Sequence, residues 1–141
     1  MKFREFLTSI GFGSMKVDTV VERPHLDEGE TLNGTIYFHG GDEEQDIEFV
    51  ELKVIKLVEE YREDSDFGYI ETVVGKQSIE FAGAVKSKES VMRQFEIVPD
   101  ERWLFDSDRT KLILRTIVHI DNGINVQDED EITYGKQEGL F

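Results

Sequence analysis

Residues 16–41, K-V-D-T-V-V-E-R-P-H-L-D-E-G-E-T-L-N-G-T-I-Y-F-H-G-G, constrain the fold of this chain more than any other stretch. Val17, Thr19 and Val21 alternate with Lys16, Asp18 and, less cleanly, Val20. Leu32, Gly34, Ile36 and Phe38 then alternate with Asn33, Thr35, Tyr37 and His39. Successive side chains of a strand point to opposite faces, so the pattern predicts two strands, each with one buried and one wetter face. Pro24 stops the first, and Glu28-Gly29 supplies the turn between them. No helix-sized apolar stripe competes within the segment. A chain that opens this way builds an antiparallel sandwich.

The same period continues downstream. Residues 46–61 fit either a helical stripe (Leu52, Ile55, Val58, Tyr61) or alternation that begins with Ile47 and Phe49 and then drifts out of register. β-Branched content and the preceding Gly40-Gly41 favour a long strand carrying a bulge. Further strands are expected at 69–74, 77–81, 90–98 and 111–121, with a closing strand near 132–134. Gly75-Lys76 reads as a turn, a continuous bent strand being the alternative. In the most apolar strand Leu112, Leu114, Thr116, Val118 and Ile120 share one face, with Ile113 and Ile117 on the other. Such a strand sits centrally or against a partner. The connection 99–110 begins at a strand-ending Pro99 and tucks in Trp103, Leu104 and Phe105. At the N-terminus, Phe3, Phe6, Leu7 and Ile10 line one face of a short helix that Gly11-Phe12-Gly13 ends. Three turns are marginal alone, so that face needs a surface to dock on.

The expected fold class is therefore all-β: an antiparallel two-sheet sandwich, immunoglobulin-like in build. A short N-terminal helix occupies residues 1–14, and a single sandwich domain spans 15–141. At 141 residues with 38% hydrophobic content, one core is affordable and disorder is excluded for most of the chain. There is no cysteine, which removes disulfides, thiolate catalysis and cysteine-ligated zinc. Glu5 and Thr8 interrupt any secretory apolar run, and nothing approaches the ~20 apolar residues of a membrane span. The expectation is a soluble, cytoplasmic protein.

Charge narrows the partners. The net charge is −15, concentrated in residues 42–80 (four basic, thirteen acidic) and 121–141 (one basic, six acidic). Such a surface repels nucleic-acid backbones and anionic membranes. It attracts a basic protein partner or divalent cations.

Candidate chemistry is sparse. The acidic turn 120–131 offers oxygens from Asp121, Asn125, Asp128 and Asp130, and calcium takes 6–8 of them. The EF-hand ligand order and its closing glutamate are not met, so these four are weak metal candidates and a solvated hairpin end is the plainer reading. The charged run Glu59-Glu60-Tyr61-Arg62-Glu63-Asp64-Ser65-Asp66 reads as a loop. His25, His39 and His119 fall on separate segments without ligand spacing, and His119 faces away from Val118 and Ile120. Neither G-x-S-x-G nor a glycine-rich phosphate loop occurs. Neither an enzyme nor a cofactor is expected.

Four stretches carry a resemblance: G-F-G-S-M-K-V-D-T-V at 11–20, L-D-E-G-E-T-L-N-G-T-I-Y-F-H-G-G at 26–41, Q-D-I-E at 45–48 and T-x-V-x-I-D-x-G-I-N-V-x-D-x-D at 116–130. The chain resembles the bacterial stage-zero sporulation M family of sporulation-control proteins. That resemblance implies an arrestin-like build of two tandem β-sandwich lobes, without cofactor or catalysis, of which this chain covers the first. An inter-lobe cleft is then not expected within one subunit. Asn125 stands where relatives tend to carry aspartate. The implied function is a regulatory or scaffold protein working through protein–protein contacts, with homo-oligomer formation as one mode. A small-ligand or calcium-responsive sandwich is the alternative.

Overall fold

The structure, a computed structural model, describes residues 14–61, 67–81, 83–104, 108–121 and 123–135. Among these, nine strands follow one another: β1 Lys16–Val21, β2 His25–Leu26, β3 Leu32–His39, β4 Gln45–Tyr61, β5 Phe67–Glu80, β6 Ala84–Val85, β7 Ser90–Ile97, β8 Thr110–Ile120 and β9 Val126–Tyr134. One 3₁₀ turn, Glu101–Trp103, lies between β7 and β8. The predicted N-terminal helix and Phe105 fall outside the described residues.

The strands form the expected two-sheet sandwich. The smaller sheet runs β1-β3-β7, and the larger runs β2-β9-β8-β4-β5 with β6 added to β4. One pairing departs from the antiparallel expectation. After β1 the chain crosses at Pro24 to the other sheet, where His25 and Leu26 lie parallel to Thr133 and Tyr134. The Pro24 carbonyl accepts from the Thr133 amide and the Leu26 carbonyl from the Gly135 amide, both at 2.8 Å. His25 is thus in a short strand that follows directly on Pro24.

Alternation decides the core. Val17, Leu32, Ile36 and Phe38 from one sheet meet Val50, Leu52, Val54, Leu112, Leu114, Val118 and Ile132 from the other, all fully buried. Each such side chain contributes about 1.5–3 kcal/mol on leaving water. Gly34 interrupts this inner row for a reason of space. A Cβ there would stand 2.6 Å from both the Phe95 ring and the Val20 carbonyl oxygen. Glycine lets Phe95 lie across β3.

β4 is the long bulged strand that its β-branched content predicts. Its register shifts against β8 between Ile47 and Phe49, and against β5 between Val54 and Ile55. β8 is central, between β4 and β9, which explains its two apolar faces.

Two expectations need correction. Gly75-Lys76 is no turn: β5 runs through it unbroken. Val54 pairs with Gly75 and Ile55 with Val73, so Val74 is the extra residue. Its side chain is buried, while its carbonyl accepts from Trp103 Nε1 at 3.1 Å and an Arg102 guanidinium nitrogen at 3.0 Å. Gly75 lets the Trp103 ring close over the bulge, since a Cβ would meet that ring at 3.1 Å. The closing strand is also longer than 132–134. It begins at Val126, and most of the segment read as an acidic turn is its N-terminal half.

Candidate functional site

The four oxygen-bearing candidates divide between two places. Asp121 and Asn125 sit at the β8–β9 turn, both exposed. The Asp121 amide donates to the Asp46 carbonyl at 2.9 Å, and Asn125 Oδ1 accepts from the Ile120 amide at 3.1 Å. Asp128 and Asp130 lie two residues apart on β9, opposite Thr116 and Leu114, on the face turned toward the other sheet. Among the described residues no group of three or more His, Cys, Asp or Glu is arranged to hold a metal ion.

Asp128 instead works between the sheets. Its Oδ2 accepts the Thr19 amide of β1 at 2.8 Å, a bond that spans 109 residues of sequence. Beside it the hydroxyls of Thr19 and Thr116 meet at 2.7 Å, both side chains buried. β1 is an edge strand of the smaller sheet, and an edge strand presents unpaired amides. Here a carboxyl from the facing sheet takes one of them. Burial pushes the Asp128 pKa up to about 6; the Thr19 amide pulls it down, the Asp18 charge adds to the rise, and hydrogen bonds from Asp130 and the Glu129 amide work against it. Asp18 is itself raised by burial, against the pull of His39.

The outer face of the larger sheet carries a second polar network. Asn125 Oδ1 is taken by the Ile120 amide, which leaves Nδ2 to donate to His119 Nδ1 at 3.2 Å. The proton of His119 then sits on Nε2, 3.2 Å from Glu51 Oε1. Phe49 stacks on the imidazole with centroids 4.1 Å apart, and Lys76 reaches Glu51 at 3.0 Å. Burial alone would raise Glu51; the hydrogen bonds from Lys76 and His119 outweigh it and hold the carboxyl below its ordinary value. His25 contacts Thr133 Oγ1 at 2.9 Å and His39 contacts Ser90 Oγ at 3.3 Å. The three histidines therefore keep separate company, each tying strands together.

β5 forms the far edge of the larger sheet. The contacts at Val74 cover its middle, whereas Tyr69, Ile70 and Val73 are about half exposed. Tyr69 pairs with Glu59 and Val73 with Ile55 on one face, and Ile70 pairs with Val58 on the other. Sequence reading passed over this edge because its apolar residues looked like ordinary strand core. Their exposure comes from position at the end of the sheet, which no local pattern states.

The strands define an all-β, two-sheet sandwich protein, and comparison with known proteins agrees. A family model described as SpoOM protein matches residues 3–137. The chain belongs to the Spo0M family of sporulation-control proteins. It is 35% identical over 66 residues to the sporulation-control protein spo0M of Bacillus subtilis (strain 168), covering 43% of this chain and 26% of that protein. The crystal structure of Spo0M from Bacillus subtilis superposes with a TM-score of 0.76 at 21% identity, over 89% of this chain and 51% of that one. The chain thus spans about half the crystallised relative, and this likeness speaks for the fold. Among the described residues no helix is long and apolar enough to cross a membrane.

Proposed function

We propose that this chain is a non-catalytic regulatory module of the sporulation-control type, acting as one sandwich lobe in the cytoplasm by binding a protein partner along the open edge of β5. One observation carries the reading: this edge strand exposes Tyr69, Ile70 and Val73 within five residues, whereas the other exposed large apolar side chains among the described residues, Met92, Val98 and Ile124, lie apart in sequence. Open edges accept an added strand, with backbone hydrogen bonds giving affinity and alternate side chains giving selectivity. The occupant is an extended segment rich in Lys and Arg, because the chain carries −15 and residues 42–80 hold most of that excess. A second copy would bring the same negative charge to the same edge.

A photo-crosslinker placed at Val73 in cells tests this, with Gln94 on β7 as the control position. The expected product joins position 73 to a basic extended segment, and Val73→Lys in a neighbouring-label version abolishes it. Products at Gln94 but none at Val73, or products unaffected by 50–300 mM salt in lysate, contradict the reading. A calcium-responsive sandwich makes a different forecast: millimolar calcium should raise the melting temperature through linkage. On the present reading it does not. Light scattering at tens of micromolar separates a homo-oligomer from a lobe that awaits another protein.

A further inference from the structure

Register against β4 divides the free end of β5 into two rows. Tyr69, Glu71 and Val73 lie opposite Glu59, Leu57 and Ile55 on the outer face of the larger sheet, and Ile70 and Thr72 point the other way. Glu71 therefore sits on the edge strand between two half-exposed apolar side chains, its own side chain 51% exposed.

The surroundings leave that carboxyl with charge to spare. Arg115 of β8 reaches it across β4, with guanidinium nitrogens 3.4 and 3.2 Å from Oε1 and Oε2. The same guanidinium holds Glu129 of β9 at 2.5 Å. One cation serving two carboxylates leaves one negative charge over, and the longer bonds are those to Glu71. Three lysines of this face are engaged elsewhere. Lys53 and Lys76 lie 3.9 and 3.0 Å from Glu51, and Lys111 stands over the Tyr69 ring, 5.9 Å from its centroid. Glu59, opposite Tyr69, adds a further acid to the same row. A carboxylate offers about four acceptor positions, and Arg115 takes one on each oxygen of Glu71. The remainder are left to water or to a ligand.

We propose that Glu71 is the selecting residue of the β5 edge: an added strand places Lys or Arg opposite it, with apolar side chains two positions to either side against Tyr69 and Val73. The inference rests on the proposed addition of a strand at this edge, and narrows its occupant from a basic segment to the pattern apolar–x–basic–x–apolar. The pleat is the physical reason. Residues directly opposite on neighbouring strands have Cβ atoms ~4.5–5.5 Å apart, so whatever faces Glu71 meets its charge, and what lies two residues on meets Tyr69 or Val73. An acidic residue in the central place would oppose a like charge, with Glu59 on the same face, and such pairs are destabilising. A neutral one would cover a charged carboxylate without compensating it. Arg115 is a positioning residue, since its planar fork holds the Glu71 carboxylate at both oxygens. The flanking apolar contacts supply buried area, and the central charge supplies the choice.

The test uses the full chain and three capped peptides, each with a central Lys, Gln or Glu, Thr on either side of it and Val beyond. NMR shifts of the amides of residues 67–73 report both the site and the dissociation constant. The Lys peptide should bind at least about fivefold tighter than the Glu peptide, with Gln between them, and added salt should narrow the gap. Glu71→Gln should erase the gap while changing the affinity of the Gln peptide by no more than about twofold, and Glu71→Lys should reverse the order. Both variants change a half-exposed side chain and should keep the wild-type fold. Equal binding of all three peptides at 67–73, or an unchanged order in Glu71→Lys, overturns the role of Glu71 and leaves strand addition at this edge standing. Peptides that shift no amide among 67–73 overturn both.

Discussion

The two sides of this sandwich treat the same liability in opposite ways. β1 and β5 are both edge strands, and both read in sequence as period-two strands with apolar positions. At β1, a carboxyl from the facing sheet takes the Thr19 amide and a threonine pair closes the space beneath it. At β5, the capping seen among the described residues is at Val74, where Trp103 and Arg102 converge on one carbonyl, and Tyr69, Ile70 and Val73 lie beyond it about half exposed to water. An edge is open or closed according to single polar side chains that arrive from distant sequence. The pattern of the strand itself does not decide it. The closed edge joins the sheets, and the open one is where the proposed partner would add its strand.

Removing the cap on β5 has the largest expected effect on this contrast. Trp103 is buried, donates to Val74 and packs edge-on against Tyr134 with ring centroids 5.7 Å apart. Trp103→Ala should cost about 3–5 kcal/mol in urea unfolding and lengthen the open edge past Val74. A loss below about 1 kcal/mol would mean that the bulge is held by other contacts.

The seam gives a middle-sized effect and a sharper diagnosis. Thr116→Val leaves the Thr19 hydroxyl buried without its partner, at a cost of about 1–3 kcal/mol. Adding Thr19→Val restores a matched apolar pair, so the double variant should be no less stable than the single one. Additive losses in that cycle would show that the two hydroxyls do not meet.

The smallest stability effect belongs to the open edge. Val73→Lys places a charge where a side chain is already in water, and the unfolding midpoint should shift by no more than about 0.5 kcal/mol. Partner binding through the edge should fall sharply in the same variant. A large stability loss would instead place Val73 inside a structural contact.

Much of this architecture was legible in residues that alternate. The strands around Val17, Ile36 and Leu114 follow from period-two patterning, and the bulged β4 from β-branched residues that outweigh a competing helical stripe. The β9 strand was hidden because Asp128 and Asp130 occupy inward positions where apolar residues would announce burial. Four acids in a row, 128–131, therefore looked like a solvated turn. Val74 was hidden by Gly75, which signals a turn locally but serves the close approach of a ring 28 residues away. At the candidate site, composition grouped Asp121, Asn125, Asp128 and Asp130 in one acidic turn, whereas the structure sets Asp128 and Asp130 on β9. The partner of Asp128, the Thr19 amide, is a backbone group and leaves no trace in residue identity.

Residue-resolved hydrogen exchange across the two edges at pH 5.5 tests the account most directly. The Thr19 amide should exchange as slowly as the amides of central β8, opening only with the sandwich, while the outward amides of residues 67–73 exchange orders of magnitude faster. Fast exchange at Thr19, or protection along 67–73 equal to that of β8, would contradict a molecule closed at one edge and open at the other.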